Sequence, residues 1–167
     1  MYHIEAWSGK GVVRNYADPN RVSVDPMPVY WNRTIATAPS NFTANLYDFS
    51  KYIPDAVVIN LGTNDFSTHP WPEPSVFMDG YKNLIATIRM SYNNQMLPIF
   101  VACGPMIGDP CCSYVKSVAA SFNGVYFIDL QNILGPDEIG CGGHPNVLGH
   151  IKMAAIAAPV IGSVLNW

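Results

Sequence analysis

Three polar, glycine-rich stretches carry side chains that could do chemistry: Ser8-Gly9-Lys10-Gly11, Gly62-Thr63-Asn64-Asp65 and Gly140-Cys141-Gly142-Gly143-His144-Pro145-Asn146. Between them they offer an imidazole that can move a proton near neutrality, an uncharged amide and backbone that a ligand could approach closely. Taken singly, each also has a plainer explanation. Gly-Thr-Asn-Asp is a good turn, and a histidine in a loop is usually just solvated. Cys141-x-x-His144 beside Cys111-Cys112 suggests zinc only weakly, because vicinal cysteines rarely supply two ligands to one ion. Neither a metal nor another cofactor is expected.

The elements that would position these stretches are legible. Ala56-Val57-Val58-Ile59-Asn60-Leu61, Leu97-Pro98-Ile99-Phe100-Val101-Ala102 and Val125-Tyr126-Phe127-Ile128-Asp129-Leu130 are nearly continuous apolar runs, as strands buried on both faces are. Between the first two, Phe77, Tyr81, Leu84, Ile85 and Ile88 recur at helical spacing after Pro74-Ser75. Between the second and third, Asp109-Pro110 predicts a helix start, Val115, Val118 and Phe122 an apolar face, and Gly124 a stop. A last helix is predicted over about residues 146–164, kinked or shortened at Pro159. Residues 3–7 are predicted as a short strand and residues 18–43 as a long loop with short helical pieces at most, because Asp18-Pro19-Asn20, Asp25-Pro26-Met27-Pro28 and Pro39-Ser40-Asn41 break any periodicity. Alternating strands and helices imply a parallel sheet covered on both faces, with function beyond the carboxyl ends of the strands.

The 167 residues fit one domain, and 49% hydrophobic with 13% charged residues indicates a substantial core. A net charge of −3 with scattered Lys and Arg argues against nucleic acid as a partner. No uninterrupted apolar stretch reaches membrane-spanning length, and the run over residues 153–165 contains Pro159 and Gly162, so no membrane partner is expected. The first residues lack the pattern of a secretory signal. Asn32-Arg33-Thr34 and Asn41-Phe42-Thr43 match the glycosylation acceptor pattern and tilt the expectation toward an extracellular, secreted full-length protein. Cys103, Cys111, Cys112 and Cys141 allow one or two disulfides or buried free thiols.

Trp7-Ser8-Gly9-Lys10-Gly11-Val12-Val13-Arg14-Asn15-Tyr16, Pro26-Met27-Pro28-Val29-Tyr30, Gly62-Thr63-Asn64-Asp65 and His144-Pro145-Asn146-x-x-Gly149-His150 together, and in this order, resemble the SGNH hydrolases, in particular carbohydrate esterase family two. The resemblance implies an α/β, flavodoxin-like, three-layer α/β/α fold and hydrolysis of acetyl esters on plant polysaccharides. It implies the Gly11 N–H and the Asn64 amide as donors to the oxyanion, each worth on the order of 3 kcal/mol when pre-aimed. It implies His144 as the base that takes a proton from the nucleophile and returns it to the leaving alcohol. Trp71 and Asp65 are the substrate-binding candidates, Trp71 by presenting a flat face to a sugar ring. The expected partner is an acetylated polysaccharide or a small acetyl ester; oligomeric state is left open.

The sequence departs from the family pattern twice. Cys141 stands where many SGNH enzymes have an aspartate three residues before the histidine, so a Ser-His dyad steered by a backbone carbonyl is expected, with Asp137 as an alternative partner. The second departure concerns the nucleophile: no Gly-Asp-Ser follows a first strand, and Gly108-Asp109 runs into Pro110. The expectation is a single esterase domain, incomplete at its N-terminus, that lacks both its nucleophilic serine and the central strand preceding it, with Ser8 a poor substitute. Without that strand, backbone donors and acceptors are left exposed on both sides of a gap. A noncatalytic carbohydrate-binding relative and an inactive fragment are the alternatives.

Overall fold

The computed structural model describes residues 2–37 and 45–167; Asn41-Phe42-Thr43 and the Pro39-Ser40-Asn41 turn lie outside the described residues. The three apolar runs form strands β1 (Val57–Ile59), β2 (Ile99–Cys103) and β3 (Val125–Asp129), parallel and in that order, with Val57 opposite Ile99 and Ile99 opposite Val125. All five β2 residues are buried, as a strand covered on both faces requires.

A one-turn helix α1 (Thr63–Phe66) follows β1, then α2 (Pro74–Ser91), α3 (Cys111–Ala119) and α4 (Val147–Leu165). Helices α2 and α3 cover one face of the sheet. There Phe77, Tyr81, Ile85, Val115 and Val118 pack with Ile59, Ile99 and Val101 in one core. Helix α4 lies on the opposite face, where Met153, Ile156, Ala157, Val160 and Val164 meet Phe100, Ala102, Ile128 and Leu130. The three-layer α/β/α arrangement is therefore present around three strands.

Several details differ from expectation. Helix α3 begins one residue after Pro110, with the Asp109 carboxylate accepting from the Ser113 N–H at 2.9 Å, and it ends at Ala119, before Phe122. Gly124, at φ +70°, instead makes the bend into β3. Pro159 does not interrupt α4, which starts at an Asn146 cap accepting from the Gly149 N–H at 3.1 Å. At 19 residues, α4 is also long and apolar enough to cross a membrane by length and composition, which counting uninterrupted apolar runs had missed.

Residues 3–7 form no strand. A strand exists only by pairing, and a cavity of about 810 Å³ lies between this segment and β1. The segment nevertheless runs parallel to β1. The His3 ring sits 5.8 Å from Tyr52, ahead of β1, while the Lys10 carbonyl meets Asn64 beyond its end.

Candidate active site

The turn carrying Gly11 is folded around a buried carboxylate. Asp65, fully buried, accepts from the backbone N–H groups of Val12, Val13 and Arg14 at 2.8, 2.8 and 2.9 Å. Burial pushes Asp65 up to about 6, against the three N–H donors, which favour its charged form. Asp65 is thus a brace between the two glycine-rich turns, which corrects the expectation that it binds substrate. Gly11 fits here because a Cβ would overlap the Arg14 carbonyl and the Asp65 carboxylate. Its N–H faces Asn15 Oδ1 at 3.3 Å, and Gly11 does not line the cavity.

Arg14, also fully buried, has its guanidinium satisfied by carbonyls: Nε donates to Asn20 at 3.0 Å, and one terminal nitrogen to Thr68 at 2.8 Å. The loop after α1 is thereby tied to the same turn. Lys10 is held on the outer side by Asp25 at 2.6 Å, with its ammonium about 5 Å from both the Trp7 and the Tyr30 ring (5.0 and 4.9 Å). Lys10 and then Tyr30, donating to it, hold the Asp25 carboxyl below the usual range. The Lys10 backbone carbonyl accepts from Asn64 Nδ2 at 2.8 Å, which fixes the direction of the Asn64 amide.

Gly62, at φ +121°, turns the chain from β1 into α1, and a Cβ there would strike Cys111 Sγ. Cys111 is a buried free thiol, whereas Cys103 and Cys112 form a disulfide and Cys141 is free and exposed. Of the pairings the sequence left open, one bridge is made.

His144 comes from the loop before α4. The Gly140 N–H donates to its carbonyl at 2.7 Å, and Asn146 Nδ2 donates to the Asp137 carbonyl at 2.7 Å, so both sides of the loop are anchored. Its imidazole has no hydrogen-bond partner among the described residues, the Asp137 side chain included. His144 and Asn64 line the same cavity, together with Ser8. An imidazole and a steered amide at one cavity can exchange a proton and stabilise negative charge on an oxygen.

Trp71 lies outside this lining. It is half-buried, stacked on His69 at 4.5 Å and edge-on to Phe66 at 5.9 Å, so it packs against the core instead of presenting a face to the site. The aromatic wall that does line the cavity includes Trp7, Trp31, Phe49 and Tyr92. Trp31 stacks on Phe49 at 5.5 Å, and Phe49 meets Tyr92 edge-on at 5.2 Å. Sequence reasoning missed this wall because its members come from separate segments spread over positions 7 to 92; only the clustering of aromatics in the irregular first third hinted at it.

A parallel sheet with helices on both faces, and an amide and an imidazole beyond its strands, defines an α/β fold of the SGNH esterase type. No protein-family model matches the chain. It is 37% identical to the cellulase/esterase CelE of Acetivibrio thermocellus over 97% of its own length, and 27% identical over 87% to an acetylxylan esterase/glucomannan deacetylase of Cellvibrio japonicus. Among solved structures, a family two carbohydrate esterase from Clostridium thermocellum, in complex with cellohexaose, superposes with a TM-score of 0.79 at 34% identity over 96% of this chain. The homologues and structural neighbours of this chain are family two carbohydrate esterases and acetylxylan esterases. The chain spans 20% and 41% of the two curated relatives and 49% of the solved one.

Proposed function

We propose that this chain carries the base and one oxyanion donor of a carbohydrate esterase that removes acetyl groups by acyl transfer to a serine, followed by hydrolysis. The observation that supports this best is that Asn64 and His144, from turns 80 residues apart, line one cavity, with the Asn64 amide steered by the Lys10 carbonyl. In this reading His144 takes the serine proton and returns it to the sugar hydroxyl, and Asn64 donates to the tetrahedral oxyanion. The Gly11 N–H joins Asn64 only if it turns from Asn15 when substrate binds.

Ser8 is the one serine lining the cavity among the described residues, and it lies in the turn that holds Lys10. We therefore assign the nucleophile to polypeptide outside this chain. The Cys103–Cys112 disulfide supports an oxidising, extracellular setting. The aromatic wall favours a second reading, sugar binding without hydrolysis.

The test is hydrolysis of an acetylated xylo-oligosaccharide by this chain alone, and with the part of the solved C. thermocellum esterase that lies outside the matched region added as a peptide. Turnover is expected only with the peptide, and His144→Ala abolishes it. Turnover by the chain alone, with a serine-reactive phosphonate attached to Ser8, would refute the external serine. Sugar binding that survives His144→Ala with no turnover in any mixture would establish the second reading.

A further inference from the structure

Cys103, Cys111 and Cys112 meet at one buried point, where the end of β2 faces the start of α3, and none is more than 1% exposed. Cys103 is bridged to Cys112, yet the free Cys111 Sγ lies only 3.9 Å from Cys103 Sγ. Cys103 therefore has two neighbours in the chain within reach. Bridges from Cys103 to Cys112 and to Cys111 span nine and eight positions, so they close nearly equal loops and chain entropy does not choose between them. Hydrogen bonding does not favour the observed pairing either. As the odd thiol, Cys111 has no partner but the Cys103 sulfur among the described residues, whereas an S–H on Cys112 would have the Ile107 carbonyl 3.6 Å from its Sγ.

Exchange between the two pairings needs no oxidant or reductant. The Cys111 thiolate attacks Cys103 Sγ, the Cys103–Cys111 bond forms as the Cys103–Cys112 bond breaks, and the proton given up by Cys111 ends on the departing Cys112 sulfur. Both sulfurs belong to the first turn of α3, where helix N–H groups favour thiolates. Burial, followed by the carboxylates of Asp65 and Asp109, pushes the Cys111 thiol up and opposes this. The buried Tyr81 hydroxyl is the other titratable group that interacts with it. A scarce thiolate makes the exchange slow, so each pairing persists once made.

The pairing matters because of what Cys111 supports. Gly62, which leads into α1, closes directly on its sulfur: a Cβ on Gly62 would lie 2.6 Å from Cys111 Sγ. Helix α1 is a single turn, so contacts from outside hold Asn64 in place. They are the Lys10 carbonyl, the bonds of Asp65 to residues 12–14, and this sulfur against Gly62. A bond to Cys103 would shorten the sulfur separation from 3.9 Å to about 2 Å and draw Cys111 Sγ toward β2. The contact at Gly62 is then withdrawn.

We propose that Cys103, Cys111 and Cys112 form an internal thiol–disulfide exchange site with two pairings: Cys103–Cys112, which holds the Asn64 turn, and Cys103–Cys111, which loosens it. The exchange rests on the sulfur positions alone; only its consequence for an oxyanion donor rests on the esterase reading.

The test starts from the Cys141→Ser chain, in which one disulfide and one thiol remain. Held at about pH 8 and then digested with pepsin at about pH 2, where exchange is frozen, it is expected to show Cys103–Cys111 in at least about a tenth of the molecules, by fragment masses that separate Cys111 from Cys112. In the same background, Cys112→Ser is expected to form the Cys103–Cys111 bridge with an unchanged far-UV spectrum, and Cys111→Ser to keep Cys103–Cys112. Amide hydrogen exchange over residues 62–66 should be about fivefold faster in Cys112→Ser than in Cys111→Ser. Cys103–Cys112 as the sole pairing after days at about pH 8, or two free thiols in a folded Cys112→Ser chain, would overturn the exchange. Equal protection of residues 62–66 in the two variants would overturn the link to the Asn64 turn. Should Cys112→Ser not fold, the ratio of pairings in the Cys141→Ser chain decides the matter. None of these readouts uses turnover, so failure of the esterase reading leaves them unchanged.

Discussion

The two faces of the sheet are finished to different degrees. On the α2/α3 face, Phe77, Tyr81, Ile85, Ile99, Val101, Val115 and Val118 are completely buried, and the Cys103–Cys112 disulfide ties β2 to α3. On the α4 face, Phe100 and Ile128 are covered, but Val58 is 52% exposed, and Val147 and Ile151 at the start of α4 are 75% and 61% exposed. Apolar surface beside an unpaired strand edge is a liability that the α2/α3 face does not carry. The covered face can act as a scaffold, while His144 and Asn64 line a cavity walled by residues of both α2 and α4.

Truncating a side chain on each face tests this contrast most directly. Phe77→Ala should cost about 3–5 kcal/mol in urea unfolding, whereas Ile151→Ala should stay within about 0.5 kcal/mol, because an exposed side chain loses no packing. Equal costs would mean that α4 is covered in solution.

A somewhat smaller effect separates the inner and outer sides of the first glycine-rich turn. Asp65→Ala strands three buried N–H groups and should cost about 3 kcal/mol or more. Asp25→Ala removes a partly exposed partner of Lys10 and should cost about 1 kcal/mol or less. Circular dichroism during denaturant titration would reveal the ranking, and a reversal would refute Asp65 as the brace.

Replacing both Cys103 and Cys112 with serine opens a short loop on the covered face and should lower stability by about 2–3 kcal/mol. The same replacement of Cys141, free and exposed, should change nothing measurable in a thermal melt.

The smallest effect is on pH. Desolvation pushes Glu5, in the cavity wall, up to about 7 from 4.5, although much of its surface is open. Burial moves Asp65 from 3.8 to about 6. The folded state therefore holds protons that the unfolded chain has lost, and stability should fall as pH rises from about 4 to 7 and level off above that. Glu5→Gln should flatten the upper part of this slope, from pH 6 to 7.5; a slope of unchanged size would show that Glu5 is solvated in solution.

What could be read from the sequence was local. The apolar runs predicted β1, β2 and β3 within two residues at each end, and the spacing of Phe77, Tyr81, Leu84, Ile85 and Ile88 predicted the buried side of α2, because periodicity reports which side of an element is covered. The same signal in residues 3–7 predicted a strand that does not form, since a ladder needs a neighbour and β1 is across the cavity. His144 and Asn64 were identified through their motifs, and both do line one cavity. Asp65 sits in the same motif as Asn64, yet motif membership could not separate a side chain turned inward to backbone N–H groups from one turned toward a ligand.

By itself, then, the sequence determined the succession of strands and helices, the parallel order of the sheet that short right-handed crossovers impose, and the turns that carry the reactive side chains. Tertiary structure decided which of those side chains share a cavity, which cysteines pair, that Trp71 packs and does not present a face, and that one strand position beside β1 is open. The shared cavity depends on residues 50 or more positions apart, and the disulfide and the packing of Trp71 on how side chains of neighbouring segments meet in space; a pattern that repeats every two or four residues carries no information about either.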